Sequence, residues 1–174
     1  MLIAVIDSRS GPMALASTLG PLVRGVVEGM IGTAVIVSPE ADPDTVSIAD
    51  SSGCRVLAEP NWTDGFARAV TNAQGIGVLV LESGLMMGPD FWPILADTLP
   101  VLGNRPTATL PADGGGLWAR LGLNRLGGRV SRDSALLLPP SRARKIAQER
   151  EDPFRVRYGK ECVSLRSAAT RVRL

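Results

Sequence analysis

The chain has 174 residues, 45% hydrophobic and 4% aromatic, and carries a formal net charge of +2. That size and apolar content suit one ordinary domain, or a domain with a small appendage, and exclude a disordered chain. The sequence has no histidine, which excludes Ser-His-Asp and Cys-His catalysis, His-ligated zinc and an imidazole pH switch.

In chain order, Leu2 to Ile6 is an apolar run that predicts a buried strand, followed by the polar turn Asp7-Ser8-Arg9-Ser10-Gly11-Pro12. Ser10 is the expected cap of the next helix, with Pro12 in its first turn. Met13, Leu15, Leu19, Leu22, Val23 and Val26 recur at helical spacing and predict its apolar stripe. Ala34 to Val37 predicts a second strand. Asp42 and Pro43 predict the capped start of a second helix, which ends near Gly53. Arg55-Val56-Leu57 is a third strand, and a helix starting at Asn61 or Thr63 carries Phe66, Ala67 and Val70. Ile76 to Leu81 is wholly apolar and stops at Glu82. Gly88-Pro89-Asp90 then opens a fourth helix with Phe91, Leu95 and Leu99 on its stripe. Such alternation of strand and helix predicts a mostly parallel sheet covered on both faces.

Beyond Leu102 the expected strands are Thr107 to Leu110 and Ser134 to Leu138. Ser141 is the expected cap of a basic helix that Asp152-Pro153 breaks. The alternation Phe154-Arg155-Val156-Arg157-Tyr158, with Glu161 to Leu165 returning, predicts a β-hairpin with an Arg-lined face, and Ser167 to Leu174 a loose tail. The expected division is an α/β domain over 1–148 and a basic appendage over 149–174. From Arg142 to Leu174 there are ten Arg or Lys and four Asp or Glu, a net +6 against −4 for the remainder. Arg155 and Arg157 are therefore candidate contacts to a protein partner or an anionic membrane surface; a solvated charged face is the other reading.

Cys54 and Cys162 lie far apart and outside any C-x-x-C pattern, so a reducing cytoplasm is expected. The first residues lack the basic start of a secretory signal, and no apolar stretch nears the roughly 18–20 residues of a spanning helix. The expected location is cytoplasmic, or peripheral at the inner face of a membrane. Scarce aromatics argue against stacking on single-stranded nucleic acid. Leu117 to Leu126 superficially resembles part of a helix-turn-helix, but its glycines and the large α/β body argue against DNA binding, and no nucleic-acid partner is expected.

Candidate chemistry gathers at predicted strand ends, where open α/β sheets carry their sites. The Asp7–Gly11 loop can receive a phosphate or form an ordinary capped turn; neither G-x-G-x-x-G nor a P-loop is present. Ser38 to Asp44 carries Glu40, Asp42 and Asp44, which can meet a base, a ribose or a cation, or act as helix-start acids. Glu82 is either a metal or nucleotide ligand or a turn residue.

With these elements placed, Met1 to Ser141 resembles a family-2 glycosyltransferase with a GT-A fold, and more narrowly the short glycosyltransferase-like proteins of alphaproteobacteria. The resemblance rests on Thr18 to Val23, Asp44 to Arg55, Phe66 to Ala69 and Val78 to Trp92. It implies a nucleotide-sugar donor over the first half of the sheet, held with Mg or Mn on a D-x-D motif, and an acceptor that can be lipid-linked. It also implies donor contacts at Asp7, Arg9, Ser38, Glu40, Arg68 and Glu82, metal at Glu82, and Asp133 as the only acid near the place of the catalytic base. The family pattern is eroded here. Ser38 stands where an Asp usually meets the base, Ala69 replaces an Asn, and the D-x-D position reads Glu82-Ser83-Gly84. Two functions follow as expectations: a degenerate, non-catalytic binding or accessory subunit, and an active transferase using Asp133 as base and Arg68 on the diphosphate.

Overall fold

The computed structural model describes residues 1–40, 42–71, 77–102, 106–110, 132, 134–158, 163–166 and 169–171. Its elements run β1 (Leu2–Asp7), α1 (Pro12–Val27), β2 (Ile31–Ser38), α2 (Pro43–Ser51), β3 (Arg55–Ala58), α3 (Trp62–Thr71) and β4 (Val78–Glu82). Then follow β5 (Leu85–Met87), α4 (Phe91–Leu102), β6 (Thr107–Leu110), β7 (Ala135–Leu138), α5 (Pro140–Glu149), β8 (Val163–Arg166) and β9 (Ala169–Arg171).

Seven strands form one sheet in the order β3-β2-β1-β4-β7-β6-β8. The β1–β2, β2–β3, β1–β4 and β6–β8 pairs are parallel, and β7 runs antiparallel to both β4 and β6. β5 and β9 form a separate antiparallel pair.

All six residues of β1 are buried because the strand lies between two apolar layers. Leu2, Ala4 and Ile6 face α1 and α4, meeting Leu15, Leu19, Leu22, Phe91, Trp92 and Leu95. Ile3 and Val5 face α3 and α5, meeting Trp62, Phe66, Val70 and Ile146. Two close approaches fix the helices. A Cβ on Gly25 of α1 would come within 2.5 Å of the Trp92 ring, and one on Gly65 of α3 within 2.2 Å of Val37 Cγ1. At α2, the Asp42 side chain accepts from Thr45 N at 2.9 Å with Pro43 behind it, as the sequence predicts. Cys54 packs partly buried against the α1 side of the core, and burial pushes its thiol pKa up.

Several expectations are corrected. Gly11, not Ser10, is the N-cap of α1, and no side chain caps that helix. Only half of the expected stripe on α1 is buried. Met13, Val23 and Val26 are more than half exposed, and the buried face is Ala14, Leu15, Thr18, Leu19, Leu22 and Gly25. The expected cap Ser141 lies inside α5, which starts at Pro140 with no side-chain cap.

The largest correction concerns the C-terminal hairpin. Arg155 N and Val156 N both donate to Asp152 O, at 2.8 and 3.2 Å, so the backbone turns there instead of extending. Phe154 and Tyr158 bury against α3 and α5 on one side, which imitates strand alternation in the sequence. The downstream strands pair elsewhere, β8 beside β6 and β9 beside β5, so residues 169–171 are paired and not loose. The 117–126 segment, Cys162 and Asp133 lie outside the described residues.

Candidate functional site

The parallel register sets three chain positions in one row at the carboxyl edge of the sheet. Asp7 pairs with Val37 on one side and with Glu82 on the other. Ser38 ends β2 next to Ala58 of β3. Loops are tied to this edge by short backbone bonds. Ser8 N and Ser8 Oγ both donate to Val37 O, at 3.0 and 3.1 Å. Ser83 N donates to Asp7 O at 2.8 Å. The antiparallel register of β7, with Leu136 opposite Val80, brings Ser134 level with Glu82. Ser134 is fully buried, and its Oγ has no hydrogen-bond partner among the described residues.

Asp7 is the centre of the edge, with its side chain only 1% exposed. A buried carboxylate must be paired and hydrogen-bonded, and two arginines do this. Arg9 N and Arg9 Nε donate to Asp7 Oδ1 at 3.2 and 2.9 Å, while Arg9 Nε and Nη2 also reach Oδ2. Arg132 Nη1 donates to the same Oδ2 at 3.1 Å. The Arg9 pKa is raised, chiefly by its hydrogen bond to Asp7. Burial opposes that, and the charges of Asp7, Asp152 and Glu82 add to it. Those three acids therefore share the field around one guanidinium.

Asp152, which the sequence offered only as a helix breaker, closes the cluster from the turn after α5. Its Oδ1 accepts from Trp62 Nε1 at 3.3 Å and from Phe154 N at 3.0 Å. Its Oδ2 takes Arg132 Nη2 and lies 3.6 Å from Arg155 Nε. The Arg132 guanidinium also sits 5.4 Å from the Phe154 ring centroid, a cation–π distance. Arg132, Asp152 and Trp62 thus join a site that sequence reading assigned to Asp7, Arg9 and Glu82. The one local signal was Asp152 two residues before the Phe154 N–H that it accepts, an Asx-turn.

The other candidates lie apart from this cluster. Ser38 is buried, and its Oγ donates to Glu40 O; Glu40 itself is exposed. Arg68 on α3 pairs with Glu59 at 2.8 Å, and Glu59 N donates to Ser38 O at 2.8 Å. Arg155 and Arg157 are exposed.

A divalent metal is the group the sequence resemblance implies, and these residues do not fit one. Among the described residues no three acids or cysteines gather as a ligand set. Both Asp7 oxygens are held by guanidinium groups, and such cations oppose a second cation beside them. Gly84, where the sequence resemblance implies a second D-x-D carboxylate, has φ at +93°. Its N–H points to Thr18 Oγ1 at 2.9 Å and Ala14 O at 3.0 Å. A residue with a Cβ is strained in that conformation. No helix among the described residues is long and apolar enough to cross a membrane.

No protein-family model and no curated protein sequence matches the chain. Solved structures do match it. A glucosyl-3-phosphoglycerate synthase from Mycobacterium tuberculosis, in complex with Mn2+, UDP and glucosyl-3-phosphoglycerate, superposes with a TM-score of 0.67 at 15% identity, covering 100% of this chain and 72% of that one. The same enzyme with Mn2+ and UDP-glucose gives 0.64 at 14% identity, and with Mg2+ and UDP 0.59 at 16% identity, with the same coverage. At such identity the likeness speaks for the fold alone. The chain has a mixed α/β, GT-A-like fold.

Proposed function

We propose that this protein is a degenerate glycosyltransferase-like subunit that does not work as a conventional metal-dependent transferase and acts instead as a binding or accessory protein. The observation that carries the reading is the state of the carboxyl edge. The Asp7 carboxylate is clamped by Arg9 and Arg132, and Gly84 leaves Glu82 as the one acid of the Glu82-Ser83-Gly84 segment. Sugar transfer from a nucleoside diphosphate requires its leaving charge to be stabilised. Metal cannot supply that here in the usual way. On this reading the exposed Arg155 and Arg157 face an anionic surface, on a protein or on the inner face of a membrane. The docking function then lies on the exposed arginines of a C-terminal stretch that is itself built into the α/β domain through Phe154, Tyr158 and β8.

An active transferase is the second reading, and the guanidinium groups of Arg9 and Arg132, gathered on Asp7 in the strand paired with that of Glu82, favour it. There they would meet the diphosphate in place of a metal. Asp7, Ser38, Glu40 and Arg68 would complete the donor contacts, and Asp133 would serve as base.

Thermal-shift titration with UDP- and GDP-sugars, with and without Mn2+, separates the two, because a ligand that binds the folded state raises the melting temperature. No shift with any donor is the result expected for the accessory subunit. A donor shift that needs Mn2+ and disappears in Glu82→Ala overturns it. A metal-independent shift lost in Arg132→Ala supports the second reading.

A further inference from the structure

Among the described residues, the large apolar side chains left exposed are Met1, Met13, Val23, Val26, Val27 and Met86. Four of them lie on one helix, α1, where Val27 is 80% and Met13 70% exposed. Scattered exposed hydrophobics need no explanation, whereas a gathered set marks a contact surface. The other two stand near the ends of the same helix. Leu2 N, next to Met1, donates to Met30 O just past its C-terminus, and Gly84 N, shortly before Met86, donates to Ala14 O.

The order of residues along the helix points to what covers this face. Met13, Ala16, Gly20, Val23 and Val27 are all exposed. Their spacing alternates between three and four residues, so they form one stripe on the side of α1 turned away from Leu15, Leu19 and Leu22. The stripe carries no charge. Beside it, Arg24 pairs with Glu28 at 2.7 Å and its Nη1 donates to Pro89 O at 2.9 Å, so these charges are occupied within the chain. Gly20 is at the middle. It precedes Pro21, whose ring a Cβ at position 20 would crowd, and such a Cβ would meet nothing else within 4 Å. The centre of the stripe is therefore bare backbone, open to close approach by another helix. Turned end for end about Gly20, the stripe matches itself, with Met13 opposite Val27 and small Ala16 opposite Val23. A two-fold contact requires such self-complementarity. A membrane-surface helix is instead bulky on its apolar face and rich in cations beside it, and Arg24 is the one basic residue of α1.

We infer that α1 is the contact of a homodimer, in which two copies of this chain pack antiparallel along the stripe centred on Gly20. Side chains of this size and exposure remove roughly 250 Å2 of apolar surface from each copy, short of the about 1,000 Å2 in total that a stable dimer buries. The pair is therefore weak and forms with concentration. α1 packs on the opposite face of the sheet from α3 and α5, where Phe154 and Tyr158 are buried, so pairing leaves Arg155 and Arg157 uncovered. The inference does not depend on whether the chain transfers sugar.

Sedimentation velocity of the wild type from about 5 to about 500 micromolar is the test. The sedimentation coefficient should rise from that of a monomer toward that of a dimer. Met13→Glu puts an acid near the N-terminus of α1 and Val27→Lys a base at its C-terminus. Both suit the helix dipole and both sites are exposed, so the variants should fold, as the melting temperature of dilute samples checks. Each single change sets a charge against an apolar residue and is expected to weaken association at least about tenfold. The chain with both changes sets acid against base twice across the two-fold and is expected to associate within about threefold of the wild type.

A monomer at every concentration overturns the inference. Association untouched by the single changes also overturns it, as does a double variant no stronger than either single one. A wild type that stays monomeric but floats with phosphatidylcholine vesicles, and loses this in Val27→Lys, assigns the face to a membrane and overturns the dimer. None of these readouts involves a sugar donor or Mn2+, so failure here is distinct from failure of the accessory reading.

Discussion

The body of the sheet and its carboxyl edge are held by opposite kinds of force. In the body, β1, β2 and β4 bury apolar residues on both faces, and the alternate side chains of β1 divide between the α1/α4 layer and the α3/α5 layer. At the edge, one row of strand ends is covered by guanidinium–carboxylate contacts that reach across 125 residues of sequence, from Asp7 to Arg132. The body accepts substitution according to volume. The edge responds to charge and backbone conformation. An edge so paired with itself differs from an open donor site, although both stand on the same GT-A body.

The largest expected effect breaks the body. Phe66, fully buried between α3 and the sheet, should cost about 3–5 kcal/mol when changed to Ala, measured by urea unfolding. A loss below about 1 kcal/mol would mean that the α3 layer is not packed as described.

Breaking the edge should cost less. Asp7→Ala removes the buried acceptor of two arginines whose side chains are 43% and 28% exposed. Because water can reach both cations, the loss should fall below the range for a fully buried pair, at about 2 kcal/mol. A neutral outcome would place the stability of the edge elsewhere.

Gly84→Asp places a second acid in the Glu82-Ser83-Gly84 segment and sharpens the contrast between sequence motif and geometry. At φ +93° it should lower stability by about 1–2 kcal/mol and create no Mn2+ affinity. Tight Mn2+ binding by this variant would show that the missing carboxylate alone had closed the site.

The smallest effect is one of pH. The Asp42 pKa is lowered by its hydrogen bonds to Thr45. Its contribution is therefore complete above the ordinary aspartate pKa and is lost as pH falls through the lower folded value. The melting-temperature gap between wild type and Asp42→Ala should hold near neutrality and close in acid. A gap constant through the acid range would contradict that cap.

The parallel half of the fold was legible because buried strands write themselves as short apolar runs, as in Leu2 to Ile6, Ala34 to Val37 and Val78 to Leu81. Asp42-Pro43 was legible as a local capping signal. The hairpin expectation failed at Phe154 to Tyr158 because burial on one side of a turn copies the alternation of a strand. The exposure of Met13, Val23 and Val26 was missed because a wide apolar helix does not reveal which of its sides meets the sheet. At the edge, Asp7, Arg9 and Glu82 could be found by their place at strand ends. Arg132 and Asp152 could not, since their partners are set by topology and not by spacing. The sequence shows that Gly84 brings no carboxylate, but not that it sits in a turn whose φ favours glycine.

The central claim is that this carboxyl edge does not hold a divalent metal for a nucleotide-sugar donor. The most direct measurement is the electron paramagnetic resonance of Mn2+ with UDP, recorded with and without the wild-type protein. The account predicts the same Mn2+ signal in both, with no protein-bound species. A bound Mn2+ signal that requires the protein and is lost in Glu82→Ala would contradict it.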